Sequence, residues 1–301
     1  MRSTHYSSRK PALVVVFWLA LLNLAHGHHE QAFLVDAARE WQGIDHTELS
    51  SEWDQTPDSL GFHFAAHQFV QDGRALVLRP FGWTAIERKK FYGAAAITAV
   101  ALALDPWFNN LLKPDRAVHE QLRLRWLEAP GNGSLYLPLS AIIWVRGRAH
   151  RDAQQTRLGV GLASAVIWSR LLIQVPKFAF QRERPENGGD NSYVFHGPVG
   201  GFVHDAFPSG HTATAFAAAA YLRKVRPSNK AWPGNAATIL AWGTAYQRVQ
   251  SGRHWLADVG AGAIIGHACG TFLAKRVSNL QISASPLGAH IIVPIGQQSS
   301  K

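Results

Sequence analysis

Beyond Phe91 the chain alternates apolar stretches with polar connections, at 91–104, roughly 113–127, 136–147, 155–178, 211–224, 234–250 and 254–276. Each stretch reads as a helix, alanine dominates several of them, and strict apolar–polar alternation is scarce until the end of the chain. The pattern predicts an all-α fold, a helical bundle, over a main domain at 91–278. Residues 28–90 are mixed and aromatic-rich, with a polar break at SSEWDQTPDSLG, and read as short helices and loops leading into that domain. The tail, 279–301, holds two extended apolar runs around Leu287-Gly288-Ala289, which predict a small β-hairpin. One connection, Arg184 to Phe207, is too long and too rich in Gly, Asn and Pro for an ordinary inter-helix turn, and loops of that length are usually functional or disordered. Its Tyr193, Phe195 and Phe202 are expected near a site entrance, with His196 and His204 as polar contacts of the loop rather than catalysts.

Residues 1–27 have the layout of a secretory signal. Arg2, Arg9 and Lys10 form a basic start, Pro11 to Ala25 is an apolar run too short to span a bilayer, and Ala25-His26-Gly27 supplies small residues for cleavage. Export to a bacterial periplasm or envelope is the expected location. The later apolar stretches each fall short of the roughly 18 charge-free residues of a clear membrane span, and 159–178 is interrupted by Arg170, Gln174, Pro176 and Lys177. With a mean hydropathy of −0.07, this favours a soluble or peripherally attached domain over an integral bundle, which stands as the alternative.

Charge narrows the partners. The formal net charge is +10, and +7 once the leader is removed, which favours phosphate esters, lipid head groups or nucleic acid. The single cysteine, Cys269, excludes an intramolecular disulfide and reads as a small buried hydrophobe. Neither it nor the histidines repeat at the spacing of a structural zinc site.

Three segments carry the candidate chemistry. KFAFQRERP sets six residues between Lys177 and Arg184-Pro185, PSGH occupies Pro208 to His211, and QRVQSGRHWLAD sets five residues between Arg248 and His254 and three between His254 and Asp258. Singly, each has an ordinary reading: a solvated basic helix end, helix punctuation by Pro, Ser and Gly, a surface arginine, a local His–Asp pair one turn apart. Jointly they fix ten residue identities at set spacings, which coincidence explains poorly.

The three segments resemble the signature of the type 2 phosphatidic acid phosphatase superfamily, which also holds bacterial acid phosphatases, glucose-6-phosphatase-like enzymes and vanadium haloperoxidases. The resemblance covers Lys177 to Asp258, the flanking helices agree in character alone, and residues 28–90 carry none of it. One position departs from the pattern: Gln247 stands before Arg248 where many members have Ser, which puts a secondary hydrogen bond in doubt. Arg253 adds a further cation beside His254.

The resemblance implies a phosphatase that hydrolyses phosphomonoesters through a phosphohistidine, with no metal and no cofactor, and with vanadate as a phosphate-mimicking inhibitor. Lys177, Arg184 and Arg248 suit a three-cation clamp on the equatorial phosphoryl oxygens. Ser209 and Gly210, at a helix mouth, supply a hydroxyl, two amides and the favourable end of the dipole. His254 takes the role of nucleophile, oriented by Asp258 through its other ring nitrogen, and His211 that of general acid. Both histidines titrate near pH 6.5 unperturbed, so a bell-shaped profile with a mildly acidic or neutral optimum is expected.

The expected substrate is a phosphorylated lipid or a small phosphate ester or pyrophosphate, met at a membrane surface. Nucleic acid is not expected, because no basic stripe interleaves with stacking aromatics. Two other readings compete: a haloperoxidase holding vanadate in the same cradle, and a non-catalytic protein binding anions or envelope lipids. The compact spacing from Lys177 to Arg184-Pro185 sides with the phosphatase branch, and mere binding has no use for two histidines and an aspartate so arranged.

Overall fold

A computed structural model describes residues 61–112, 124–188, 191–199, 204–225 and 232–283. The leader, the extension as far as residue 60 and Phe202 lie outside the described residues. The described residues form ten helices: α1 (Phe62–Leu78), α2 (Ala85–Leu112), α3 (Ala129–Asn132), α4 (Tyr136–Ala149), α5 (Ala153–Leu172), α6 (Gln174–Phe180), α7 (Pro185–Gly188), α8 (Gly210–Lys224), α9 (Trp232–Gln250) and α10 (Leu256–Ser283). Short 3₁₀ turns lie at Arg79–Gly82, Leu124–Glu128 and Gly197–Val199. Among the described residues there is no strand, and one isolated antiparallel bridge joins Arg182 to Phe195. The helix expected at 91–104 extends both ways, the one at 155–178 divides at Ile173, and α10 runs into the tail as far as Ser283. The rest of the hairpin expected in the tail lies outside the described residues.

The bundle is organised around α8. Ala213, Ala215 and Ala217 to Ala220 are buried, and α10, α9, α5 and α3 all pack against it. Buried continuously from Thr212 to Leu222, it is the central rod of the core. Alanines bury little area each, so cohesion comes from backbones approaching closely and multiplying dispersion contacts.

The closest of these approaches is with α10. Gly262, Gly266 and Gly270 recur every fourth residue and put one glycine stripe against α8. A Cβ added at these positions would stand 2.4 Å from Ser209 O, 2.1 Å from Ala213 O and 2.1 Å from Ala217 O. Asp258, one turn before Gly262, shares that stripe, so the packing that seats α10 also delivers Asp258 to the mouth of α8.

Three helical stretches are long and apolar enough to cross a membrane: Ala85–Asn110, Ala153–Phe180 and Leu256–Ser278. Almost none of the first is buried within the protein, and Ile97, Val100, Leu104 and Trp107 are exposed along it. By length and apolar composition these stretches meet the requirement of the integral alternative. Reading along the sequence, the apolar runs stop at single polar or charged residues, but the helices continue through them. Long basic side chains near a helix end tolerate that position by reaching towards water.

Two substitutions test the α8–α10 contact with opposite signs. Gly266→Ala should lower the melting temperature of the detergent-solubilised protein, because its methyl group meets backbone with no room to give. Gly260→Ala, with nothing within 4 Å of its added carbon, should hold or raise it through better helix propensity.

Candidate active site

Arg182, at the end of α6, is fully buried and sits between two buried carboxylates. Its Nη1 donates to Asp258 Oδ1 at 2.6 Å, its Nη2 to Asp105 Oδ2 at 2.6 Å, and both Nε and Nη2 to the Ser192 carbonyl, at 2.9 and 2.6 Å. The second oxygens of the two carboxylates are also used. Asp105 Oδ1 accepts from Ala257 N–H at 2.9 Å and Asp258 Oδ2 from Trp255 N–H at 2.8 Å, both at the start of α10. Phe195 and Trp255 each lie 5.4 Å from the guanidinium carbon, measured to the ring centroid. Burying such ions is tolerable only when they are paired and hydrogen-bonded, and here each guanidinium nitrogen and each carboxylate oxygen has a partner.

The hub lies at one end of all three span-length helices. Asp105 is near the last turn of the first, Lys177 near the last turn of the second and Asp258 in the first turn of the third.

Ser209 caps α8, its hydroxyl accepting from Thr212 N–H at 3.5 Å and Thr212 Oγ1 at 3.0 Å. Its own amide donates to the Asp258 carbonyl at 2.9 Å. Of the two amides expected to face an anion, Ser209's is thus committed to α10, and the first-turn donors left by position are those of Gly210 and His211. The Arg170 guanidinium covers Gly210, its Nη1 3.6 Å from where a Cβ would sit.

The three clamp cations are each held by a carboxylate. Lys177 Nζ donates to the Asp205 carbonyl and lies 3.6 Å from Asp205 Oδ2. Arg184 donates to Asp205 Oδ1 from Nε at 2.8 Å and Nη2 at 2.7 Å, and meets Glu186 at 3.4 Å. Arg253, the extra cation, is drawn off to Glu186 at 2.9 Å. Arg248 pairs with Glu128 and donates through Nε to Gln247 Oε1 at 2.6 Å, and Gln247 Nε2 in turn donates to Glu128 at 3.1 Å. The departure at position 247 therefore supplies a hydrogen bond rather than losing one: the buried Gln247 links the arginine to its counter-ion. Burial pushes the Glu128 and Asp205 carboxyls up, but Arg248 outweighs it at Glu128, and Lys177 and Arg184 at Asp205, so both end below the ordinary value.

His254 is buried, and its Nδ1 is 2.8 Å from the Ala206 carbonyl. A carbonyl only accepts, so Nδ1 carries the hydrogen and Nε2 the lone pair. Asp258 Oδ2 stands 3.7 Å from the same nitrogen. The orienting bond expected from Asp258 is thus made by Ala206, because both oxygens of Asp258 are claimed by Arg182 and Trp255. Burial, reinforced by Lys177, Arg184 and Arg248, holds the His254 imidazole well below its ordinary pKa, in the neutral form. His211, also largely buried, is pushed down to about 3 by desolvation and then by Arg248, Arg170 and His254.

The eight residues singled out in the sequence, Lys177, Arg184, Ser209, Gly210, His211, Arg248, His254 and Asp258, thus gather around the mouth of α8. Sequence reasoning missed Arg182, Asp105, Glu128, Arg170 and the Ala206 carbonyl. Asp105 had a legible signal, being the one charge in the apolar run from Phe91 to Leu112. Glu128 and the Ala206 carbonyl had none.

Residues 156–282 match the PAP2 superfamily. Over 160 residues the chain is 32% identical to a lipid A 1-phosphatase of Porphyromonas gingivalis, an alignment that takes in 52% of this chain and 32% of that one. The chain thus spans about a third of the length of that relative. A transmembrane PAP2-type phosphatidylglycerolphosphate phosphatase from Bacillus subtilis, known as a crystal structure, aligns with a TM-score of 0.38 and 22% identity, over 77% of this chain and 98% of that one.

Breaking the hub should be costly. Arg182→Gln leaves two buried carboxylates without a counter-ion and should destabilise the protein by roughly 3–5 kcal/mol. Arg253→Gln, removing an exposed pair, should change it by less than about 1 kcal/mol. Thermal unfolding of the two variants side by side checks the contrast.

Proposed function

We propose, for a chain that carries a PAP2 superfamily domain over residues 156–282, that it is an envelope phosphatase hydrolysing lipid phosphomonoesters through a phosphohistidine on His254, with no metal in the chemistry. The observation that carries this reading is the tautomer of His254: with Nδ1–H bound to a carbonyl, a neutral Nε2 lone pair is available, and the three clamp cations act on the same ring. The name of the Porphyromonas gingivalis relative, lipid A 1-phosphatase, and the three span-length helices support a lipid-borne phosphate as substrate.

In the first step Nε2 attacks phosphorus, a P–N bond forms, the ester P–O bond breaks, and His211 gives its proton to the departing alkoxide. Lys177, Arg184 and Arg248, with the Gly210 amide, hold the equatorial oxygens. In the second step water attacks the phosphohistidine, His211 takes the proton, and phosphate leaves as the P–N bond breaks.

His211 must be protonated to act first as an acid, yet in the empty site it is neutral. The same cations explain the change. Burial first, then Arg248 and Arg170, depress its pKa, and a phosphate dianion among them offsets the share of the two arginines, so substrate binding is coupled to proton uptake. His254 remains neutral well below pH 6.5, which moves the acidic limb of the rate profile to lower pH than two unperturbed histidines predict.

His254→Ala should abolish release of phosphate, and near-normal activity in that variant would remove the proposal. His211→Ala should still be phosphorylated by an ester with a good leaving group while losing turnover of lipid phosphates. Arg184→Ala or Arg248→Ala should each cost on the order of 10²–10³ in rate. A panel of lipid and soluble phosphates, assayed on the solubilised enzyme, checks all three.

Orthovanadate should inhibit, and its affinity should weaken as pH rises through the raised pKa of His211, because the bound state holds the extra proton. In His211→Gln that slope should flatten. Bromide oxidation dependent on vanadate, in place of inhibition, would instead identify a haloperoxidase.

A further inference from the structure

Next in the chain to residues of the phosphate cradle but outside its eight residues, Glu183, His196 and His204 each offer one potential ligand atom, and these atoms lie within 4.8 Å of one another. The two imidazoles stack with centroids 3.8 Å apart and 21° between their planes, and His196 Nε2 is 3.6 Å from Glu183 Oε2. The three side chains stand on backbone segments that are already tied together. Arg182 bridges Phe195, Glu183 N–H donates to the Val194 carbonyl at 3.0 Å, His196 N–H to Gln181 at 3.1 Å and Ala206 N–H to Arg182 at 3.0 Å. The frame fixes where each side chain starts and leaves rotation about side-chain bonds as the remaining freedom.

Two imidazoles and one carboxylate are the donor set of an open zinc site, with water in the fourth position. Bonds of about 2.1 Å in a tetrahedron place the ligand atoms about 3.4 Å apart. The separation of His196 from Glu183 is already near that, and His196 is exposed enough to rotate towards its neighbour and to admit an ion.

We propose that Glu183, His196 and His204 bind one divalent ion of the zinc class, which clips the long loop closed across its base. The residues after His204 give the clip its consequence. Asp205 holds Lys177 and Arg184, and the Ala206 carbonyl holds the ring of His254. The ion takes no part in phosphoryl transfer; it reduces the freedom of the segment that positions the nucleophile and two of the cations. Ion binding does not depend on the phosphatase reading, since the same three ligands would act on a chain that only bound anions.

The test uses the full chain in detergent micelles, stripped with a chelator and titrated with Co²⁺ as a coloured substitute for Zn²⁺. The expected result is one equivalent giving the strong visible absorption of four-coordinate Co²⁺, displaced by Zn²⁺. It should be absent in His196→Ala/His204→Ala and at least about tenfold weaker in Glu183→Gln, since losing even an outer-sphere partner costs 10–100-fold. Zn²⁺ should also slow proteolysis between 184 and 207 in the wild type and not in Glu183→Gln. Equal binding by the wild type and the variants overturns the proposal, as does binding that disappears only when His26, His28 and His29 are replaced. Should the double substitution fail to fold, Glu183→Gln decides it alone.

Discussion

The ion cluster of Arg182 with Asp105 and Asp258 is the constraint on which the remainder rests. Charges taken out of water at the end of a helical bundle are tolerated only in a complete set of hydrogen bonds, and completing this set requires α2, the segment after α6 and the start of α10 to meet at one point. None of these segments can shift by a fraction of a turn without leaving a charge unpaired. The cluster therefore acts as a locating pin, and the candidate site is built from residues immediately beside it: Arg184 two residues on, His254 one turn before Asp258, and Ser209 bound to the Asp258 carbonyl.

Asp258 illustrates how a residue picked out by spacing changes meaning once its neighbours are known. One turn from His254, it looks like the partner that orients the imidazole. In the fold both of its oxygens are occupied elsewhere and the imidazole turns to the Ala206 carbonyl. Its effect on His254 passes through the backbone it anchors: Asp258 places Ser209 and α10, while the loop that returns to Arg182 places Ala206.

How much was legible follows from what sequence can encode. The helices, the eight site residues and the helix mouth at Ser209 are written as local patterns of period, spacing and cap. Partners such as Glu128 and Ala206 are set by contacts over scores of residues and leave no local trace. Arg182 lay inside a segment already singled out, between Lys177 and Arg184, but its burial depends on Asp105, some 77 positions away. The span-length helices were under-read for a physical reason of another kind: a window that stops at each charge discards helices whose basic residues sit near their ends, where water is within reach.

The position of the cluster at a single end of the three span-length helices also has a topological result. In a bilayer, chemistry confined to one end of such helices serves one leaflet only. A head group in that leaflet would lie within reach of the cations, and the same molecule in the opposite leaflet would be beyond reach until it was flipped. Access to the cations would then be set in part by the orientation in which such helices were inserted, before any side chain touched a head group.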